Sequence, residues 1–462
     1  MATVLGANSV TGGFEVANSA RFNIASSDHL TRSLGGSPTS TRKATWSYWV
    51  KRSTLTSSAS EMIYSNEVAD DNNRGFIQFE DNDSFRMTDS VSSTQLKTNR
   101  LFRDVASFYH IVLAIDTTQG TAANRIKLYV NGVQETSFAT ASYPDQNDDL
   151  KILTGGQTNK QHISKVHGGS GYFGGYLSEF VFIDGLQLAP TSFGEFEEDS
   201  GIWVPIDVSG LTFGTNGFYL DFEDSSALGN DANGGTDFTV NNLTALDQSL
   251  DTCSNNFNTY SPLWGMQAIR VPTFEEGNLK ITGDGDAQHH QVMGTFAVNK
   301  GKWYWEAKFT VSADIGKNKV GIMSTELGSP QTAEIVDQSG SCVFVNEDGG
   351  DFRRDNATVD QNSGVFTQNQ IIGVALNMDD GEISIYRDNS LIVDALDIGN
   401  ADGTYVTPAS VHYRDAGMEF NFGSAPYALT SAAADGDGFG AFEFAPPSGY
   451  FALCSKNLAE YG

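Results

Sequence analysis

Two adjacent histidines, three cysteines, clustered carboxylates and one glycine-framed aromatic run are the residues of this chain whose types could do chemistry. His289 and His290 lie in GDGDAQHHQVMG, with Asp284 and Asp286 near enough in sequence to complete a metal site. Neighbouring residues on a strand point to opposite faces, however, so two such imidazoles rarely serve one ion, and turn chemistry accounts for the stretch. Cys253, Cys342 and Cys454 cannot all pair, and none stands in a CxxC or a Cys/His cluster with zinc spacing, so they read as reduced thiols. There is no G-x-S-x-G elbow, and Cys342 in GSCVFVNED runs into a strand-like segment that implies burial. Calcium takes carboxylate and carbonyl oxygens. VADDNNRG offers Asp70, Asp71 and Asn72, and SYPDQNDDL offers Asp145, Asp148 and Asp149, although neither has a full calcium-loop spacing. For sugar binding the useful groups are exposed rings that stack on a pyranose face beside amides and carboxylates. GGSGYFGGYLSEF sets Tyr172, Phe173 and Tyr176 among glycines ahead of a strand, as candidate ligand contacts.

These residues must be held by strands. Segments such as TWSYWVKR, RGFIQFED, FYHIVLAID and RIKLYVNG alternate β-branched or aromatic residues with polar ones, and no stretch of twelve or more residues carries a helical stripe. In RIKLYV the side chains of Ile126, Leu128 and Val130 share one face, and Asn131-Gly132 supplies the two positive-φ positions of a type I′ turn. The same grammar returns in IIGVALNMDDGEISIYRDN, with Asp380-Gly381 at the turn. His110 in the apolar strand FYHIVLAID reads as a satisfied core or edge residue and not a catalyst. At 462 residues the chain exceeds one ordinary core. The expected fold class is all-β, two tandem antiparallel β-sandwiches. Expected boundaries are a first sandwich at 1–196, an ordered connector at 197–252, a second sandwich at 253–427 and an extended C-terminal tail at 428–462.

Charge narrows the partners. The net charge is −29, with 16 Lys+Arg against 22 Asp+Glu in residues 1–200 and 12 against 35 in residues 201–462. Such a field repels phosphate backbones, so no nucleic acid is expected, and no polybasic footing or apolar run of about 18 residues supports membrane insertion. The N-terminal stretch lacks the basic end and apolar core of a signal peptide, which points to synthesis in a cytoplasm.

Residues 20–195 resemble a concanavalin A-like sandwich of the laminin G type, on the FYHIVLAIDTT…RIKLYVNGV hairpin. Residues 260–425 resemble a SPRY domain, with GKWYWEAKF, VGIM, GVALNMDDGEISIYRDN and FNFGSAPY at the core strands. The order of the two, with NGFYLDFEDSSALGNDANGGTDFTVNNL between them and PPSGYFALCSKNL at the end, resembles structural proteins of marine tailed phages. The laminin G resemblance implies loop calcium, and structural calcium is the one cofactor considered. Some concanavalin A-like sandwiches are glycanases that carry Glu-x-Asp-x-x-Glu. Here Glu197-Glu198-Asp199 meets Ile202 at the third position, so no enzyme is expected. The SPRY resemblance implies partner contacts from loops at one end, which points to Phe352, Arg353 and Arg354 in NEDGGDFRRDNATVD. Together these imply a non-enzymatic virion protein, part of a tail fibre or appendage, that recognises a host cell-surface glycan or protein. A homo-oligomer, most simply a trimer, bound to other virion proteins is the expected assembly. A capsid decoration or head-fibre protein and a polysaccharide-degrading enzyme are the alternatives.

Overall fold

The computed structural model describes residues 13–462 apart from 56–58, 67–73, 155–159, 167–168, 170, 264–271, 287, 311–316, 327–333, 347–348 and 361–362. It is nearly all-β, with 43% of residues in strands and 8% in helix, as the strand grammar requires. Two compact units divide between Ser254 and Asn255.

The first unit packs two sheets face to face. One runs in the order Val133–Gln134, Ile126–Val130, Tyr109–Asp116, Lys43–Arg52, Gly175–Asp184, Ser19–Phe22 and Gln248–Ser249, all antiparallel. The other runs from Phe138–Ser142 through Thr94–Leu101, Ser84–Asp89, Gly75–Phe79, Glu61–Asn66, Lys160–Ile163 and His29–Ser33 to Thr239–Asn241. Trp46, Tyr48, Phe79, Phe85, Leu113 and Phe180 fill the space between them. The hairpin reading holds in detail: Ile126, Leu128 and Val130 are buried, and Asn131 (φ 48°) and Gly132 (φ 77°) make the turn. A side chain at Gly132 would run into the Trp203 indole, so the glycine also serves packing.

Residues 197–252 are not a connector. Phe218–Leu220 pairs with Gly175–Asp184, Thr239–Asn241 with His29–Ser33, and Gln248–Ser249 with Ser19–Phe22, so the segment completes both sheets. One edge of Gly175–Asp184 is shared end to end. Ser19–Phe22 takes residues 175–177, Phe218–Leu220 takes 180–182, and the bulge at Glu179 (φ 49°) falls between the two partners. Buried ion pairs fasten the same segment: Arg32 to Asp231 at 3.2 Å and Lys51 to Asp251 at 2.8 Å.

The second unit repeats the design. One sheet orders Thr273–Glu275, Lys280–Thr282, Gly417–Asn421, Lys302–Phe309, Ile371–Asn377, Glu382–Arg387 and Ser390–Asp397. The other orders His289–Met293, Val406–Tyr413, Lys319–Ser324, Ser341–Val345, Asp351–Arg354 and Ala357–Asp360. Trp303, Trp305, Phe344, Val374, Ile385 and Phe420 lie between them. Residues 428–462 are not an extended tail. Phe451–Ala452 adds a parallel strand beside Lys302–Phe309, Ser455–Tyr461 forms a helix, and Phe442, Leu453 and Cys454 are buried. The Glu306 carboxylate, itself fully buried, accepts the backbone N–H groups of Glu443 and Phe444 at 2.9 Å each and the Asn421 amide at 3.0 Å.

Candidate functional site

The loop 171–176 is drawn inward by its own backbone. Ser164 Oγ accepts the Phe173 N–H at 3.0 Å, the Glu61 carboxylate accepts that of Gly174 at 3.3 Å, and the Gly174 carbonyl accepts that of Ser53 at 3.0 Å. At Gly175 (φ 147°) a side chain would strike the Lys51 carbonyl, so the close approach requires glycine. Two of the three rings expected to be exposed are therefore core residues. Phe173 is fully buried beside Phe22, and Tyr176 is fully buried with Phe108 against one ring edge and the Lys51 ammonium 5.6 Å from its centroid.

Tyr172 is the one that stays half-exposed, and it does not stand alone. Its ring centroid lies 5.7 Å from that of His29, at 42°. His29 Nδ1 is 2.9 Å from the Ser27 carbonyl, which can only accept, so Nδ1 carries the proton. Burial and the Lys165 charge hold the imidazole below its ordinary value, although the Ser27 bond opposes them. At neutral pH the ring therefore offers a bare Nε2. Beside it, Asn242 (φ 67°) donates from Nδ2 to the Ser26 and Ser27 carbonyls at 2.8 and 3.2 Å, and its Oδ1 has no partner among the described residues. One end of the first sandwich thus gathers an aromatic face, a ring acceptor, an amide oxygen and the Lys165 ammonium, which has no ion-pair partner among the described residues. Rings beside fixed polar groups can stack on a sugar face and hold its hydroxyls. His29 and Asn242 were not legible as members, because they lie about 140 and 70 residues from Tyr172.

In the second unit the triplet Phe352, Arg353 and Arg354 does not converge. Phe352 is fully buried opposite Phe344. Arg353 lies half-buried on the other face, opposite Val343, and its Nε has no hydrogen-bond partner among the described residues. Arg354 is committed to the Asp397 carbonyl at 2.8 Å and carboxylate at 3.1 Å.

Asp70, Asp71 and Asn72 lie outside the described residues. Asp145, Asp148 and Asp149 are occupied in the turn: Asp148 accepts the Asp145 N–H at 2.8 Å and the Ser92 hydroxyl at 2.5 Å, and Asp149 pairs with Arg42 and Thr41. Hydrogen bonds from Thr41 and then Arg42 hold the Asp149 carboxyl below its ordinary value. Among the described residues no three His, Cys, Asp or Glu side chains are grouped to hold a metal. His289 and His290 do face opposite ways, His289 toward Glu334 and His290, fully buried, toward Asp284 at 3.0 Å.

One arrangement imitates a nucleophile and its base. Ser47 Oγ lies 2.8 Å from His110 Nε2, but the Trp203 indole N–H donates to His110 Nδ1 at 2.8 Å. Nδ1 is therefore the lone-pair nitrogen and Nε2 carries the proton, the reverse of what a general base needs. Burial pushes this imidazole down to about 3, and Trp49 stacks 4.6 Å away. Glu197 likewise serves its own turn, accepting the Asp199 and Ser200 N–H groups at 3.1 and 2.6 Å. The three cysteines are free and buried, and burial raises each thiol.

Residues 25–186 match the family model of the concanavalin A-like lectin/glucanases superfamily, and residues 302–425 match that of the SPRY domain. No curated protein matches the sequence. Among solved structures, the SPRY domain of human HERC1 is 15% identical, with a TM-score of 0.27, 32% of this chain and 91% of that one covered. A protein from Bacteroides ovatus ATCC 8483 with a proposed carbohydrate-binding role is 15% identical, with a TM-score of 0.34, and 49% and 59% covered. Stonustoxin is 21% identical, with a TM-score of 0.27, and 36% and 27% covered. The two family matches fall one in each compact unit: this chain carries a concanavalin A-like domain followed by a SPRY domain.

Proposed function

We propose that this chain is a non-enzymatic recognition protein whose first sandwich binds a cell-surface glycan at the Tyr172–His29 end. The observation that carries the reading is the half-exposed Tyr172 ring beside His29, with Lys165 adjacent and Asn242 Oδ1 unpartnered among the described residues. A packed double sheet below holds these groups, which suits binding by a preformed surface. The domain pair fits a recognition or binding role. The sequence resemblance to marine phage structural proteins supports a virion setting, as an oligomeric tail fibre or appendage component that touches other virion proteins and the host envelope. Low affinity per site is then multiplied by copy number. No cofactor is required in this reading, and calcium acts on stability alone.

The test is adsorption. Purified protein should bind host cells and compete with infection, and Tyr172→Ala should weaken both by tenfold or more while the melting temperature holds. If the chain binds no cells and electron microscopy of the particle finds it flat on the capsid shell, the decoration role replaces this one.

A further inference from the structure

The outer face of the second unit carries a different set of groups. Along Glu382–Arg387 the buried Ile383 and Ile385 point into the core, so Glu382, Ser384 and Tyr386 share the opposite face. The C-terminal segment comes back over that face. Phe442, Ala452 and Cys454 pack on Tyr304 and Ala375, and the turn closed by the Tyr450 N–H on the Pro447 carbonyl at 2.9 Å sets Tyr450 beside Tyr386 at the margin of the packed area. Tyr386 and Tyr450 pack on the same buried cluster, and Asp394 follows Val393, which stands opposite Ile385 on the neighbouring strand. Burial raises the Tyr450 hydroxyl above its ordinary value, and Tyr386, Glu382, Asp380 and Asp394 add to the rise. Tyr386 is raised by burial and then by Asp394.

What distinguishes the spot is how little of its polarity the protein uses. Glu382, Asp394 and the hydroxyls of Tyr386 and Tyr450 have no hydrogen-bond or ion-pair partner among the described residues. Asp380 alone is engaged, with Asn377 at 2.7 Å and with Lys302 at 3.6 Å. The buried carboxylates Asp231, Asp251 and Glu61 are, by contrast, each paired with an arginine or a lysine. Two half-exposed tyrosine faces beside unpaired carboxylates form the complement of a cation that is flat or carries a long apolar stem. Arginine and lysine side chains have that form, since the ring quadrupole and the carboxylates attract the same charge.

We infer that the face formed by Glu382, Tyr386, Asp394 and Tyr450 docks an arginine- or lysine-bearing segment of a partner protein. The inference is independent of the glycan reading for the first unit. A neutral sugar would leave the two carboxylates without charge compensation, and charge complementarity therefore favours the cationic segment.

Fluorescein-labelled hexa-arginine, with hexaserine as the neutral probe, is titrated with the full chain near 150 mM salt, where exposed long-range attraction is screened within about 8 Å. The double variant Glu382→Gln/Asp394→Asn changes only unpaired surface groups. Glu195→Gln/Glu198→Gln, on exposed residues of the first unit, makes the same change in net charge elsewhere. The expected result is saturable binding of hexa-arginine and not of hexaserine, weakened at least tenfold by the first pair and less than twofold by the second. Tyr386→Leu should weaken it several-fold at unchanged charge. Equal weakening by both charge pairs would mean adsorption to an acidic chain and would overturn the inference. So would absent binding, or displacement of the probe by a neutral oligosaccharide to which the Glu382/Asp394 variant still binds.

Discussion

Tyr172 and Phe173 are adjacent aromatics in one glycine-rich loop, and they have opposite fates. No local pattern in GSGYFGGY separates the ring that packs on Phe22 from the ring that meets His29, because the difference is made by Ser164, just past one strand, and Glu61, on another, reaching the loop backbone. Glu179 is a second residue that alternation misplaces. It interrupts a fully buried strand at a bulge, takes a hydrogen bond from the Tyr219 hydroxyl at 2.7 Å, and is pushed up to about 8 by burial, with Asp221, Glu223 and Asp207 adding to the rise. A folded-state value above the unfolded one means that the unfolded chain releases this proton first. Stability is then lost as pH rises between the ordinary carboxylate range and about 8. Glu179→Gln should therefore melt close to the parent at pH 4.5 and several degrees above it at pH 8. Thermal melts across that range check this, and a difference independent of pH would contradict it.

At the scale of elements, hairpins were legible and long-range pairing was not. The NG turn and the faces of Ile126, Leu128 and Val130 follow from local spacing, and GFYLDF reads as a strand. Its partner, more than thirty residues back in the chain, is fixed by the free edge that the Glu179 bulge leaves on Gly175–Asp184. The acidic loops around it read as parts of an ordered connector, with nothing local to show that Asp231 and Asp251 neutralise cations buried in the sandwich. Breaking a buried pair from one side leaves an unpaired charge that costs about 3–5 kcal/mol. Asp251→Asn should lower the stability of the first unit by about that amount in urea denaturation. A fragment ending at residue 196 should fail to fold where one ending at 254 succeeds. A soluble, cooperatively melting 1–196 fragment would restore the shorter boundary.

For the whole molecule, composition and strand grammar were enough for two all-β units, and the family matches fall one in each. The acidic balance is not uniform solvation. Part of it is internal, neutralising Arg32, Lys51 and Arg52, and part remains unpaired on the face around Tyr386 and Tyr450. Both proposed sites set aromatic faces beside polar groups, one suited to sugar hydroxyls and one to cationic side chains. The claim that unites them is recognition without turnover. Its most direct measurement places the purified chain on immobilised bacterial envelope polysaccharides and reads retention and reducing ends together. The account predicts saturable retention that falls at least tenfold in Tyr172→Ala and in His29→Ala, with no reducing ends released. Steady release of reducing ends, or retention in both variants equal to that of the parent protein, would contradict it.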